Sequence, residues 1–271
     1  MVFLSVSARY LVNLEALNMV ESVGNVVRHR KAPVTVRTRG GYAVTYVPVI
    51  SGECLAHSYQ LHLVEVAKQE GLPLCYLCSL GIFVKHGSLA PLSKVEKSDL
   101  SDLDLYLLEQ ASKKKGADNP KVIEKNVVIG CIVEDVGGFL LPEKIPVKRT
   151  SRFQVGYMVP VLDQIEAASL EAQFHVRHVP GERGTEAAQA IYYVEVGSAL
   201  YGFGFNLDVD GIGVTSFLSR EEAVGGKERE DRVRASFAAL ANMMEGRLFG
   251  AKLSRFNPVV DLREFCVVLS H

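Results

Sequence analysis

Residues 189–209, QAIYYVEVGSALYGFGFNLDV, form a long run that any fold of this chain has to accommodate. Gly202 and Gly204 alternate there with Phe203 and Phe205, the two-residue period of a strand. The glycines are expected to mark a bulge or a close backbone approach. The run lacks the spacing of a phosphate-binding loop and the aspartate series of a calcium loop.

Other elements follow from pattern. Residues 2–12 mix β-branched and aromatic side chains and predict a first strand. VTVRTRGGYAVTYVPV predicts a hairpin around Gly40-Gly41. Ser51 predicts the N-cap of a helix in which Leu55, Tyr59, Leu63 and Val66 share a face, with Gly71 and Pro73 as its stop. KSDLSDLDLYLLEQASKKKG predicts an acidic helix ending in lysines. NVVIGCIVEDVGGF, RFQVGYMVPVL and AQFHVRHV are expected as strands, and PGERGTEAA as a loop. A last helix is expected over 229–248, and FCVVLS as a buried closing strand. Stripped of insertions the order is β-α-β-β-α-β. That predicts an α+β chain with a ferredoxin-like, modified RNA-recognition-module fold and large insertions. A single domain over 1–271 is expected, with a helical insertion over about 74–125 and a thumb-like hairpin over about 135–160.

Charge is balanced in sum and uneven along the chain. Thirty Lys and Arg offset 31 Asp and Glu, yet no acid lies between Glu21 and Glu53, a window holding Arg28, Arg30, Lys31, Arg37 and Arg39. A second window, between Asp135 and Asp163, has Glu143 as its only acid against Lys144, Lys148, Arg149 and Arg152. A polarised surface that binds a polyanion through two basic windows is the expectation. Gly24-Asn25 allows close approach to a phosphate, the Ser51-Gly52 helix start offers N–H groups, and Arg152-Phe153 pairs a guanidinium with a stacking ring. RGGYAVTY matches the RNA-recognition strand signature only in part and lacks its stacking aromatics, so backbone and shape should dominate any RNA contact.

Other chemistry is thinly supported. Cys75-x-x-Cys78 lacks a second ligand pair in sequence: Cys131 and Cys266 are distant and His86 is a loose candidate. The two cysteines are read as small hydrophobes, so no metal or cofactor is expected. No G-x-S-x-G, H-E-x-x-H or helix-turn-helix pattern occurs. Five cysteines, no basic leader and no long apolar run predict a cytoplasmic protein that spans no membrane.

Four blocks carry a resemblance: SARYLVNLEALNMVESVGNVVRHRKAPV, VPVISGECLAHSYQ, EDVGGFLLPEKIPVKRTSRFQVGYMVPVL and AQFHVRH. In this order they resemble the CRISPR-associated autoregulator (DevR) family, which includes the repeated backbone subunit of the archaeal type I-A Cascade surveillance complex. The similarity weakens over 74–125 and 179–190. It implies a non-catalytic CRISPR RNA-binding subunit that stacks head to tail along its guide RNA, with other Cascade subunits as partners and target DNA reached through the guide. Carried over by block, RNA contacts fall to Asn13, Gly24, Asn25, Arg28, His29, Arg30 and Lys31, then to Ser51, Gly52 and His57. Residues 139–153 are the implied thumb, with Lys148, Arg149, Arg152 and Phe153 near RNA, followed by His175 and Arg177. Type III backbone subunits of similar fold cut RNA with an aspartate after the first strand, whereas residues 13–50 here hold only Glu15 and Glu21 as acids. The alternative is a metal-independent endoribonuclease acting on CRISPR transcripts, with His29 or His57 as acid–base.

Overall fold

Strict alternation along Phe3–Glu15 turns Leu4, Val6, Ala8, Tyr10 and Val12 to one face and makes the first strand, β1. The computed structural model describes residues 2–113, 116–142, 146–178, 189–245 and 250–270, with backbone alone at 177–178 and 189–190. After β1 come the short hairpin β2 (Met19–Val23) and β3 (Val26–His29), turned at Gly24 with φ 60°. A two-stranded ribbon follows, β4 (Lys31–Thr38) and β5 (Gly41–Pro48). Helix α1 (Gly52–Glu70) starts where Ser51 Oγ accepts the Cys54 N–H and stops at left-handed Gly71, as its sequence predicts.

The helical insertion holds α2 (Tyr76–Ser79), α3 (Asp102–Ser112), α4 (Pro120–Gly130) and α5 (Ile132–Gly137). Three short pieces follow: β6 (Phe139–Leu141) pairs with β7 (Val147–Arg149), and β8 spans Phe153–Val155. The chain ends with β9 (Val159–Pro160), β10 (Ser169–His178), β11 (Gln189–Asp208), α6 (Gly226–Met244) and β12 (Val259–Ser270).

The 20-residue β11 organises an eight-stranded mixed sheet. One edge pairs with β1 along Gly197–Asp208 and, in parallel, with β3 at Tyr193 and Val194. The opposite edge takes β10, β9 and β8 in turn, all antiparallel. β12 lies outside β1. Helices α1 and α6 cover one face: Tyr59 donates its hydroxyl to Ser236 O at 3.1 Å, and its ring meets Phe153 and Phe205 at 4.7 and 4.9 Å. Such aromatic pairs add about 0.5–1.5 kcal/mol each beyond area burial. The fold is α+β.

The structure differs from three expectations. Residues 126–137 are helical, not a strand. Asn119 accepts the Val122 N–H and Pro120 opens α4, a start signal that outweighs the β preference of Val127, Val128, Ile132 and Val133 once all four are buried. Of the expected thumb over 135–160, Phe139, Leu141, Val147 and Arg149 are buried while Leu140 and Lys148 face outward, and residues 143–145, between β6 and β7, lie outside the described residues. The closing strand β12 is an exposed edge, with Phe265 64 % and Leu269 52 % accessible. Gly202 and Gly204 mark no bulge; the register shift lies between Val12 and Glu15 of β1. Finally, the PGERGTEAA loop lies outside the described residues.

A buried ion network ties the insertion to the sheet and α6. Arg149 reaches Asp135 at 2.5 Å and Glu124 at 3.4 Å, and Arg232 reaches Asp135 at 3.0 Å. Backbone groups, Glu228 and the Ser216 hydroxyl fill the remaining donors and acceptors: Arg149 donates to Val214 O and Gly211 O, Arg232 to Val128 O, Ile129 O and Glu228 Oε1, while Glu124 accepts from the N–H groups of Ser216 and Phe217 and from Ser216 Oγ. Full satisfaction of this kind is what makes buried charge tolerable.

Candidate nucleic-acid interface

The link between β3 and β4 is held by its own backbone: the Arg30 N–H donates to Asn18 O, and Arg30 O accepts from the Val49 N–H. Along this link exposure alternates. Arg28 and Lys31 are exposed, Arg30 is half-buried and His29 is buried. Arg30 sits by the start of α1. The Glu53 carboxyl there is held below its usual range by its own backbone N–H and by Ser51, with the Arg30 charge adding a smaller pull.

Beyond the link, the β4–β5 ribbon pairs Pro33 with Tyr46, Thr35 with Val44 and Arg37 with Tyr42. Directly opposed residues share a face. Arg37, Tyr42, Val44 and Tyr46 therefore line one side of the ribbon, with the two tyrosines 77 and 71 % exposed. Arg39 is exposed at the turn. Among the described residues Arg28, Arg30, Arg37 and Arg39 have no carboxylate partner, and Lys31 makes one solvent-side contact, to Glu195 at 3.5 Å. Cations left unpaired beside exposed rings suit a flexible polyanion.

Comparison with known proteins gives the family. The family model described as CRISPR-associated negative auto-regulator DevR/Csa2 matches residues 6–271. This chain belongs to the DevR/Csa2 family. It is 43 % identical over 270 residues to the CRISPR-associated aCascade subunit Cas7/Csa2 2 of Saccharolobus solfataricus, covering 97 % of this chain and 78 % of that protein. It is 40 % identical over 272 residues to Cas7/Csa2 1 of the same organism, covering 99 and 79 %. A chain of a solved CRISPR RNA-guided surveillance complex, pre-nicking, aligns over 88 % of this chain and 71 % of its own length with TM-score 0.47 at 11 % identity, too distant to carry an argument.

The structure divides the expected contact residues sharply. Gly24 and Asn25 are exposed at the β2–β3 turn, where Asn25 O accepts from the Tyr193 N–H. His57 is exposed on α1, edge-on to Phe83 at 5.1 Å. Asn13 lines an open 410 Å³ cleft with Arg9, Ser198 and Arg263 on the uncovered face of the sheet. Ser51 and Gly52 are occupied by structure. Ser51 is buried as the helix cap and donates its N–H to Asn18, and a Cβ on Gly52 would lie 2.8 Å from Val155 O.

His29 is a correction. Its ring is fully buried, Nε2 lying 2.6 Å from Glu15 Oε1 and Nδ1 2.8 Å from Arg30 O, so it can neither touch RNA nor act on it. Glu15 also accepts from Tyr201 and from the Leu17 N–H. Replacing His29 with Ala strands that buried carboxylate and is expected to cost about 3 kcal/mol, measured by denaturant unfolding.

The second basic window also fails as an RNA surface. Arg149 is consumed by Asp135 and Glu124. Phe153 is 6 % exposed and stacks on Phe205 at 5.7 Å, so no base can reach its face. Arg152 is held by Asp208 at 3.3 Å and Ser216 at 2.6 Å. Lys148 alone of these four remains exposed. His175 does not stand on a polar face: its ring stacks on Tyr192 at 5.3 Å and meets Phe256 edge-on. The Arg177 side chain lies outside the described residues. What the sequence reading underrated is the ribbon, where period-two placement of Tyr42, Val44 and Tyr46 on a hairpin too short to bury them was the available signal.

Proposed function

We propose that this protein is a non-catalytic CRISPR RNA-binding backbone subunit of a type I-A Cascade complex, gripping its guide through the β3–β5 segment. The observation that carries the reading is the group of unpaired cations, Arg28, Arg30, Arg37 and Arg39, beside the exposed Tyr42 and Tyr46. On this reading the β4–β5 ribbon, not residues 139–153, is the projecting element that meets bases. Its cations neutralise phosphates without reading sequence, and its rings stack on whichever bases are splayed.

The strand order supports a ferredoxin-like core. Taking β1, α1, β8 with β9, β11, α6 and β12 in chain order gives β-α-β-β-α-β, with neighbours β12, β1, β11 and β8 all antiparallel. Head-to-tail stacking along the guide is supported by β12, whose outer edge no strand pairs among the described residues and whose Phe265, Val267 and Leu269 are exposed. Copies of itself, other Cascade subunits and target DNA held by the guide are the partners of this scaffold. Among the described residues no helix is long and apolar enough to cross a membrane, which suits a cytoplasmic complex.

Purifying the chain from cells that express a CRISPR transcript tests the reading. With no Trp, the protein's own absorbance is low, and co-eluting RNA should raise the 260 to 280 nm ratio plainly. Incubation with unprocessed transcript should leave it intact. Discrete cleavage lost in His57→Ala would overturn the scaffold in favour of a metal-independent endoribonuclease.

A further inference from the structure

The neighbouring Cys75 and Cys78 meet Cys131, distant in sequence, in the interior. Cys75 is 1 % exposed, Cys78 and Cys131 are 0 %, and their sulfurs lie within 4.8 Å of one another. The local folding explains the meeting. Cys75 precedes α2 and accepts the Ser79 N–H, so one short turn aims Cys75 and Cys78 the same way. Cys131 breaks the chain between α4 and α5, and the Ile132 N–H donates to Pro73 O, docking this corner beside α2.

A fully buried carboxylate joins them. Glu134 Oε1 is 3.7 Å from Cys75 Sγ and 4.0 Å from Cys78 Sγ. His86, 2 % exposed, sets Nδ1 2.7 Å from Glu134 Oε1 and Nε2 3.2 Å from Asp104 Oδ1. Small hydrophobes need no buried carboxylate and imidazole among them. Tetrahedral zinc, with Zn–S near 2.3 Å and Zn–O near 2.0–2.2 Å, spaces its donors about 3.4–3.8 Å apart. The Glu134 oxygen stands within that span of Cys75 Sγ, at 3.7 Å, and just beyond it from Cys78 Sγ, at 4.0 Å.

We propose that Cys75, Cys78 and Cys131 bind one structural zinc ion, with Glu134 as the fourth ligand and His86 as the residue that positions Glu134. On binding, each thiol loses its proton to water as its sulfur–zinc bond forms, and the hydrated dication sheds its waters. Four protein ligands close the coordination sphere, so the ion clamps α2 and α5 and performs no catalysis. The chain Asp104–His86–Glu134 has the outer-shell form that fixes a ligand's orientation, with Lys85 and His86 both in left-handed backbone (φ 50° and 52°) to present the ring.

The test uses the full chain without a histidine tag, produced in zinc-supplemented medium. Elemental analysis should give about one zinc per chain, retained through dialysis and lost in Cys131→Ala, while Cys266→Ser, on the exposed strand, keeps it. Because Cys131→Ala could unfold, the native chain is also loaded with cobalt(II) after acid or chelator stripping. A sulfur-to-cobalt charge-transfer band with tetrahedral d–d bands is expected. Folded protein that carries no zinc and develops no such bands would overturn the site, as would a disulfide among Cys75, Cys78 and Cys131 found by mass spectrometry.

Discussion

Arg149→Met is expected to destabilise the protein by about 3–5 kcal/mol, lowering its thermal midpoint by roughly 10 °C, while leaving RNA affinity of the folded protein within about twofold. The substitution removes a guanidinium that is 0 % exposed and leaves Asp135 and Glu124 buried with one fewer partner. Arg232 still reaches Asp135, but Glu124 keeps only backbone and Ser216 donors. Those two acids anchor α4 and α5 to the loop at 211–217, so the loss spreads through the insertion. Differential scanning calorimetry with a parallel binding titration reads both quantities. A melt unchanged to within a degree, with affinity lost, would return Arg149 to the RNA surface.

The second large effect is the converse. Tyr42→Ala with Tyr46→Ala should weaken guide-RNA binding at least roughly 30-fold, because base–aromatic stacking is worth about 1–3 kcal/mol per ring. Both rings are more than two-thirds exposed and pack on little of the protein, so the melt should hardly move. Fluorescence anisotropy on a labelled guide measures the loss. Lys148→Ala, a single exposed cation on β7, is the contrast and should change affinity by less than about threefold. Equal losses for the two variants would mean that the ribbon is not the base-meeting element.

How far sequence reached depended on whether a feature was local. The alternation of β1, the Ser51 and Gly71 caps of α1 and the turn at Gly40-Gly41 are set by neighbours a few residues away, and each appears where expected. Among the described residues Arg28, Arg30, Arg37 and Arg39 of the first basic window have no carboxylate partner, because acids excluded from a segment cannot pair with it locally. The second did not: Asp135 and Glu124, brought in by α4 and α5, neutralise Arg149, and Asp208 holds Arg152. The burial of His29 hinges on Glu15, which β1 delivers from fourteen positions upstream. Cys75 and Cys131 are brought together only once α4 and α5 form, and reading residues 126–139 as a strand hid that meeting.

The salt dependence of guide binding tests the central claim most directly. Five cations on β3–β5 contacting single-stranded phosphates predict that log affinity falls against log salt with a slope of about −3 to −3.5. Combining Arg28→Ala, Arg30→Ala and Arg37→Ala should flatten it by about 2, equally for guides of different sequence. A slope that the triple variant leaves unchanged would contradict the account and put the guide on another face of the protein.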